Sequence, residues 1–218
     1  MKSDFEVDRL PSKVLVFSVT AVGLLHNSIF VSSTPEILRS LGESENLAGL
    51  LIAAGSVPGI VVAPLIGFLA DRFGRKKVLI PCLVIYGVFG ILVGLSPSLF
   101  WFLLIRIFQG LGSAGLINLV VVIISDNWAG LDRARLIGQN AAAITISVAI
   151  YPVLGGAVTD LLSWRWVFLV FLAPLVVAFF ISKNLEDRRP GLDVSVKDQI
   201  SGAPVSYTHL TLPTIYSV

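Results

Sequence analysis

The sequence predicts an all-α, polytopic membrane protein with six transmembrane helices. Of its 218 residues, 55% are hydrophobic and only 14% charged, with a mean hydropathy of +0.87. Soluble domains run at about 25% charged residues, so a solvent of lipid is implied. The apolar residues gather into long runs, and a bilayer-crossing helix needs roughly 20 of them. Those runs lack strict alternation. Only helices or closed barrels satisfy backbone hydrogen bonds in lipid, so the pattern excludes the barrel.

Residues 1–13 carry charge and lack the apolar run and small-residue cleavage site of a signal peptide, so the first apolar stretch is expected to be a retained span. Charge-free runs at Val14–Pro35, Asn46–Ala70 and Leu136–Thr159 make spans one, two and five. A longer run, Val78 to Ile105, is interrupted by Ser96-Pro97-Ser98. That tripeptide favours a tight turn over one very long helix. It separates span three from a span four that continues to Ser125 across a single charge, Arg106. Span six runs from Trp164 to Ser182, which places the bundle at 14–182.

The distribution of Lys and Arg orients such a bundle, because cytoplasmic loops carry the excess. With the N-terminus cytoplasmic, the inner segments hold Lys2, Arg9 and Lys13, then Arg72, Arg75, Lys76 and Lys77, then Arg133 and Arg135, and finally Lys183, Arg188, Arg189 and Lys197. The outer loops hold only Arg39 and Arg165. Small residues at Gly55, Gly59, Ala63 and Gly67 recur every fourth position of span two and share one face. That face serves either general packing or a sliding contact with a helix outside this chain. Trp164 and Trp166 fit an outer interfacial belt.

Several function classes drop out. A single cysteine, Cys82, offers neither a disulfide framework nor a metal-ligand set, and no metal or cofactor is expected. A net charge of +2 is too small to suggest nucleic acid. Gly110 to Gly115, "GLGSAG", has the G-x-G-x-x-G spacing but lies inside a span, without the preceding strand a dinucleotide site requires. No G-x-x-x-x-G-K-[ST] stretch occurs, which speaks against a self-contained ATP-driven pump. No enzymatic chemistry is indicated.

Between spans two and three stands "GFLADRFGRKK". A short basic turn would satisfy topology alone, but the order Gly67, Asp71-Arg72, Gly74-Arg75-Lys76 is more specific. It resembles the G-x-x-x-D-R-x-G-R-[RK] signature between the second and third helices of the major facilitator superfamily. Arg106 to Gly110, "RIFQG", resembles that family's fourth-helix R-x-x-Q-G pattern. "DRARLIG" at 132–138 resembles its basic loop before helix five, and "SWRWVF" at 163–168 the opening of helix six. "YPVLGG", Tyr151 to Gly156, is similar to the end of the helix-five motif of exporters, with Ser147 and Tyr151 where that motif has glycines.

The resemblance covers about 11–189 and implies one half of a twelve-helix transporter fold, the family being built from paired six-helix halves. Residues 183–201 then resemble the start of the linker between halves. Residues 202–218, uncharged and too short to span, resemble nothing in the family and are expected to be an unrelated read-through tail. The implied partners are the lipid bilayer, a small-molecule substrate, protons as coupling ion and a missing C-terminal six-helix half. The implied location is the cell membrane.

The resemblance also implies roles. Gly67, Asp71, Arg72, Gly74, Arg75 and Lys76 would help hold the cytoplasmic side closed, with Asp71, Arg75 and Asp126 as a carboxylate–guanidinium–carboxylate chain that one state makes and another breaks. Arg106, Gln109, Gly110 and Ser113 fall on one helical stripe and are expected to line a central aqueous cavity; the alternative is Arg106 snorkelling outward. His26 and Asn27 lie mid-span in helix one, His26 serving either a structural hydrogen bond or proton coupling. Asn140, Ser147 and Tyr151 share a face of span five, where Pro152 favours a kink and Gly155 and Gly156 allow tight contact. The function implied is proton-coupled efflux of small organic compounds. A symporter importing a nutrient or organic anion, and a non-transporting sensor or dimeric channel, are the alternatives.

Overall fold

Without water, the donors and acceptors of each apolar run must be met inside the run, and each run becomes a helix. The computed structural model describes residues 12–185. Among these it holds six spans apolar enough to cross a membrane: Lys13–Ser40, Glu45–Phe73, Arg75–Gly94, Leu99–Asn127, Gly130–Leu161 and Trp164–Asn184. Residues 1–11, the linker beyond 185 and the tail at 202–218 lie outside the described residues.

Observed spans exceed the predicted ones at their polar ends. Span five begins at Gly130 because Asp132, Arg133 and Arg135 are exposed there and the helix continues under them. The turn at Ser96–Ser98 falls where expected, between Gly94 and Leu99. It is closed by Arg165, whose Nη1 donates to Gly94 O (3.1 Å) and Ser96 O (3.3 Å). At the opposite end of the bundle, Gly74 separates spans two and three with φ of 104°, a backbone region that a side chain would strain. Pro152 lies inside span five, and the helix runs through it without a break.

Two spans are interrupted. In span one the helix Lys13–Gly23 stops and a short helix, Leu25–Ser28, follows. In span four Leu99–Ser113 gives way to Leu116–Asn127. Span four packs on spans two and three, span three also on span six, and span one on spans four, five and six. Spans two and five are the least enclosed and turn Ile60, Val61 and Leu65, or Ile146, Val153 and Leu154, outward.

Close approach depends on glycine. A Cβ on Gly59 would stand 2.9 Å from Gly110 O, and one on Gly110 would collide with Gly55 O. The small-residue face of span two therefore packs on span four of the same chain at Gly55 and Gly59. Gly67, farther along that face, is open: a Cβ there would have nothing within 4 Å. The glycines of "GLGSAG" are explained by the same packing. Trp164 corrects the interfacial belt. It is buried against Phe102 and Phe168, at ring distances of 6.3 and 6.1 Å, because the first turn of span six packs onto spans five and three, while Trp166 stays exposed.

Gly110→Val is expected to lower stability by about 1–3 kcal/mol through overpacking, read as thermal unfolding in detergent. Gly138→Ala, where nothing lies within 4 Å, is expected to be neutral or stabilising by up to about 1 kcal/mol. Equal losses from the two would contradict the packing described.

Candidate functional site

At the basic end of the bundle the last turn of span two, the first turn of span three and the end of span four meet. Arg75, largely enclosed, donates from Nη1 to Asp71 Oδ1 and from Nε to Asp126 Oδ2 at 3.2 Å. Asp71 and Asp126 remain exposed at 63% and 36%. Pairs so open to solvent are worth only about 0–1 kcal/mol each. They can bias the relation of three spans but cannot lock it. Arg72 is exposed with its guanidinium 5.6 Å from the Phe73 ring, Lys76 is half-buried, and Gly67 lies one turn above Asp71.

Farther along the bundle, a cavity of about 280 Å³ opens between spans one, two and four. His26 and Asn27 line it from span one, Ser56 and Gly59 from span two, and Ser113 and Asn118 from span four. Ser56 Oγ donates to Asn27 Oδ1 (3.2 Å), and Ser113 Oγ turns back to Gly110 O (2.8 Å). The lining is uncharged and mostly apolar, completed by Ile60, Ala63, Ala114 and Ile117, with these polar side chains set into it. Ser56 and Asn118 are not among the residues that motif and stripe select; each is a lone polar residue in an apolar run, which is the signal that would find them.

Behind this wall lies Arg106, wholly buried. Its Nη1 donates to His26 O (2.8 Å) and to Gln109 Oε1 (2.9 Å), and its guanidinium sits 4.1 Å from the centre of the Phe30 ring. Nε, Nη2 and Gln109 Nε2 have no hydrogen-bond partner among the described residues. The expected polar strip is thus divided. Ser113 reaches the cavity, while Arg106 and Gln109 are sealed between spans because Gly55, bare of side chain, lets span two press onto the guanidinium. Such a charge costs several kcal/mol of desolvation, offset here by carbonyl, amide and π contacts.

Span five turns its polar residues to span one. Thr20 Oγ1 donates to Asn140 Oδ1 (2.6 Å), Tyr151 Oη to Ala21 O (2.9 Å) and Ser32 Oγ to Pro152 O (2.7 Å). Gly155 lies directly against Ile29 O, and Gly156 faces Ser32. Asn140 is therefore a buried helix-to-helix contact and lies off the cavity, corrected by its pairing with Thr20. Among the described residues no group of His, Cys, Asp and Glu is placed to hold a metal ion.

A family model described as the Major Facilitator Superfamily matches residues 15–210. The bacillibactin exporter of Bacillus subtilis (strain 168) is 33% identical over 160 residues, which are 70% of this chain and 39% of that protein. Multidrug transporter protein MdtP of the same organism is 28% identical over 166 residues, 76% of this chain and 30% of the relative. The chain spans well under half the length of either. Among solved structures, a bacterial homologue of the human lysosomal transporter Spinster, inward-facing and occupied, superposes with a TM-score of 0.72 at 20% identity. The match covers 82% of this chain and 44% of that one. That likeness shows the fold.

For the Arg75–Asp126 pair, a double-mutant cycle with Arg75→Gln and Asp126→Asn, read by thermal unfolding, is expected to give a coupling of at most about 1 kcal/mol that shrinks as salt rises. A coupling several times larger and indifferent to salt would contradict the solvent-exposed geometry.

Proposed function

The chain belongs to the Major Facilitator Superfamily, and we propose that it supplies the N-terminal six-helix half of a secondary transporter that exports small organic compounds in exchange for protons. The family and its named relatives are transporters, not enzymes. One observation carries the proposal most directly: Arg75 ties spans two, three and four together at one end of the bundle, while a hydrogen-bonding cavity opens between spans one, two and four farther along. A pathway closed at one end by weak, exchangeable ion pairs has the form that alternating access requires.

In this reading the basic end faces the cytoplasm and the bundle lies in the cell membrane. The described residues fit: Lys13, Arg72, Arg75, Lys76, Lys77, Arg133, Arg135 and Lys183 fall at that end, and Arg39 and Arg165 at the other. Gly74 shapes the loop and Gly67 leaves the last turns of span two bare beside it, while Asp71, Arg75 and Asp126 bias the closed state, with Arg72 and Lys76 adding to its basic face. The solute pathway is walled by His26, Asn27 and Ser113. Arg106 and Gln109 brace that wall from behind, and Asn140, Tyr151, Pro152, Gly155 and Gly156 join span five to span one. A second six-helix half completes the pathway, consistent with relatives more than twice as long as the matched region.

Efflux is supported by the names of the two relatives, an exporter and a multidrug transporter. Proton-coupled import of an anion is the second reading. It would require Arg106, whose Nε and Nη2 lack a hydrogen-bond partner among the described residues, to be uncovered from between the spans.

Inverted membrane vesicles with an acid lumen, carrying the full-length transporter, separate these readings. Ethidium, as the probe, is expected to raise luminal pH, as exchange for protons demands; a fall would support symport and overturn efflux. Asp71→Asn is expected to slow the response severalfold at unchanged protein level, and an unaltered rate would remove the closing role assigned to that loop.

A further inference from the structure

Span one breaks beside the cavity. An unbroken α-helix would have His26 N–H donate to Val22 O, four residues back. Instead the hydroxyl of Tyr86, reaching across from span three, stands inside that bond. It accepts from His26 N at 2.9 Å and donates to Val22 O at 2.9 Å. A side chain inserted into the i→i−4 ladder is one of the few physical causes of an abrupt helix bend. The two residues that follow this opening, His26 and Asn27, are those that line the cavity.

The tyrosine is built into its position. It is fully buried, and its ring is held edge-on by Phe171 and His26 at 5.3 and 5.6 Å. Its height is fixed by span four, since a Cβ on Gly112 would stand 2.9 Å from Tyr86 Cα and Cys82 O. From the other side, Arg106 Nη1 holds His26 O at 2.8 Å. Residue 26 is thus gripped at both its peptide groups by side chains of two other spans.

We infer that Tyr86 is a positioning residue for transport: its hydroxyl, held in the opened turn between Val22 and His26, sets the direction in which span one presents His26 and Asn27 to the cavity. The inference rests on reading that cavity as the solute pathway. With the hydroxyl in place, two hydrogen bonds replace one and the turn stays open. With it removed, the nearest partner for His26 N–H in a medium without water is Val22 O, and the ladder closes. Closing it rotates everything beyond residue 26 relative to the helix before it.

Tyr86→Phe keeps the ring and its volume and deletes only the hydroxyl. In full-length transporter reconstituted in lipid nanodiscs, with Cys82→Ala and any cysteines outside this chain replaced, single thiols introduced by Asn27→Cys or Asn118→Cys report the two facing walls of the cavity. With a small water-soluble maleimide, Tyr86→Phe is expected to change the labelling rate at position 27 by about fivefold or more and at position 118 by less than about twofold. Unchanged rates at both positions overturn the inference. So do equal changes at both, which would mark Tyr86 as a packing residue whose loss loosens the whole bundle.

Ethidium-for-proton exchange in proteoliposomes, by full-length transporter with Asn27 and Asn118 intact and with or without Tyr86→Phe, distinguishes the premise from the inference. A raised KM with Vmax little altered supports both. A shift at position 27 with transport unchanged leaves the placement of Tyr86 intact and overturns the reading of the cavity as the solute pathway.

Discussion

Backbone hydrogen bonding in a solvent that offers none is the constraint on which the rest of this bundle depends. It makes each apolar run a helix, and it also dictates what happens where a helix stops or carries a proline. At two such places a side chain arrives from another span. Tyr86 enters the opened turn of span one, and Arg165 of span six closes the turn between spans three and four. Irregular backbone survives where the bundle itself supplies the missing partners. The interruption in span one lies beside the cavity, so the same groups that satisfy it also shape that wall.

The second governing feature is how tightly span four is enclosed. Gly55 and Gly59 on span two and Gly110 and Gly112 on span four remove the side chains that would keep helices apart. In lipid, helix association has little hydrophobic drive and relies on such close packing. The consequence for electrostatics is direct. The guanidinium of Arg106 is pressed between spans and takes its compensation from His26 O, Gln109 and the face of Phe30. At the basic end the opposite regime holds: the partners of Arg75 are exposed and their bonds are exchangeable. A strongly held middle and a weakly held end suit the role proposed for the chain, in which the middle would move as a body while the end opens.

Much of this is legible in the sequence. Six spans follow from run length and low charge, the turn at Ser96–Ser98 from its composition, and the family from the order of residues between Gly67 and Lys76 and the four stretches that accompany it. These features are local or one-dimensional: hydropathy is a property of a run, and a signature is a property of spacing. Hydropathy starts span five too late because Asp132, Arg133 and Arg135 read as loop, although a helix can carry exposed charge past the bilayer edge.

What the sequence could not decide is where a side chain points once six helices share one core. By angular count Arg106, Gln109 and Ser113 lie on one stripe, yet only Ser113 reaches the cavity: a glycine on another span lets its helix close over the guanidinium, and Gln109 is buried beside it. Trp164 has the composition of an interfacial residue and is buried among Phe102 and Phe168. Tyr86 carries no signal in its own run; its meaning comes from residues 60 and 64 positions away. The sequence by itself determined the solvent, the spans and the lineage, since each span's hydrogen bonds and hydropathy are settled within itself. Only the tertiary structure decided the cavity wall and the buried grip on residue 26, since those depend on distances between helices that no single run encodes.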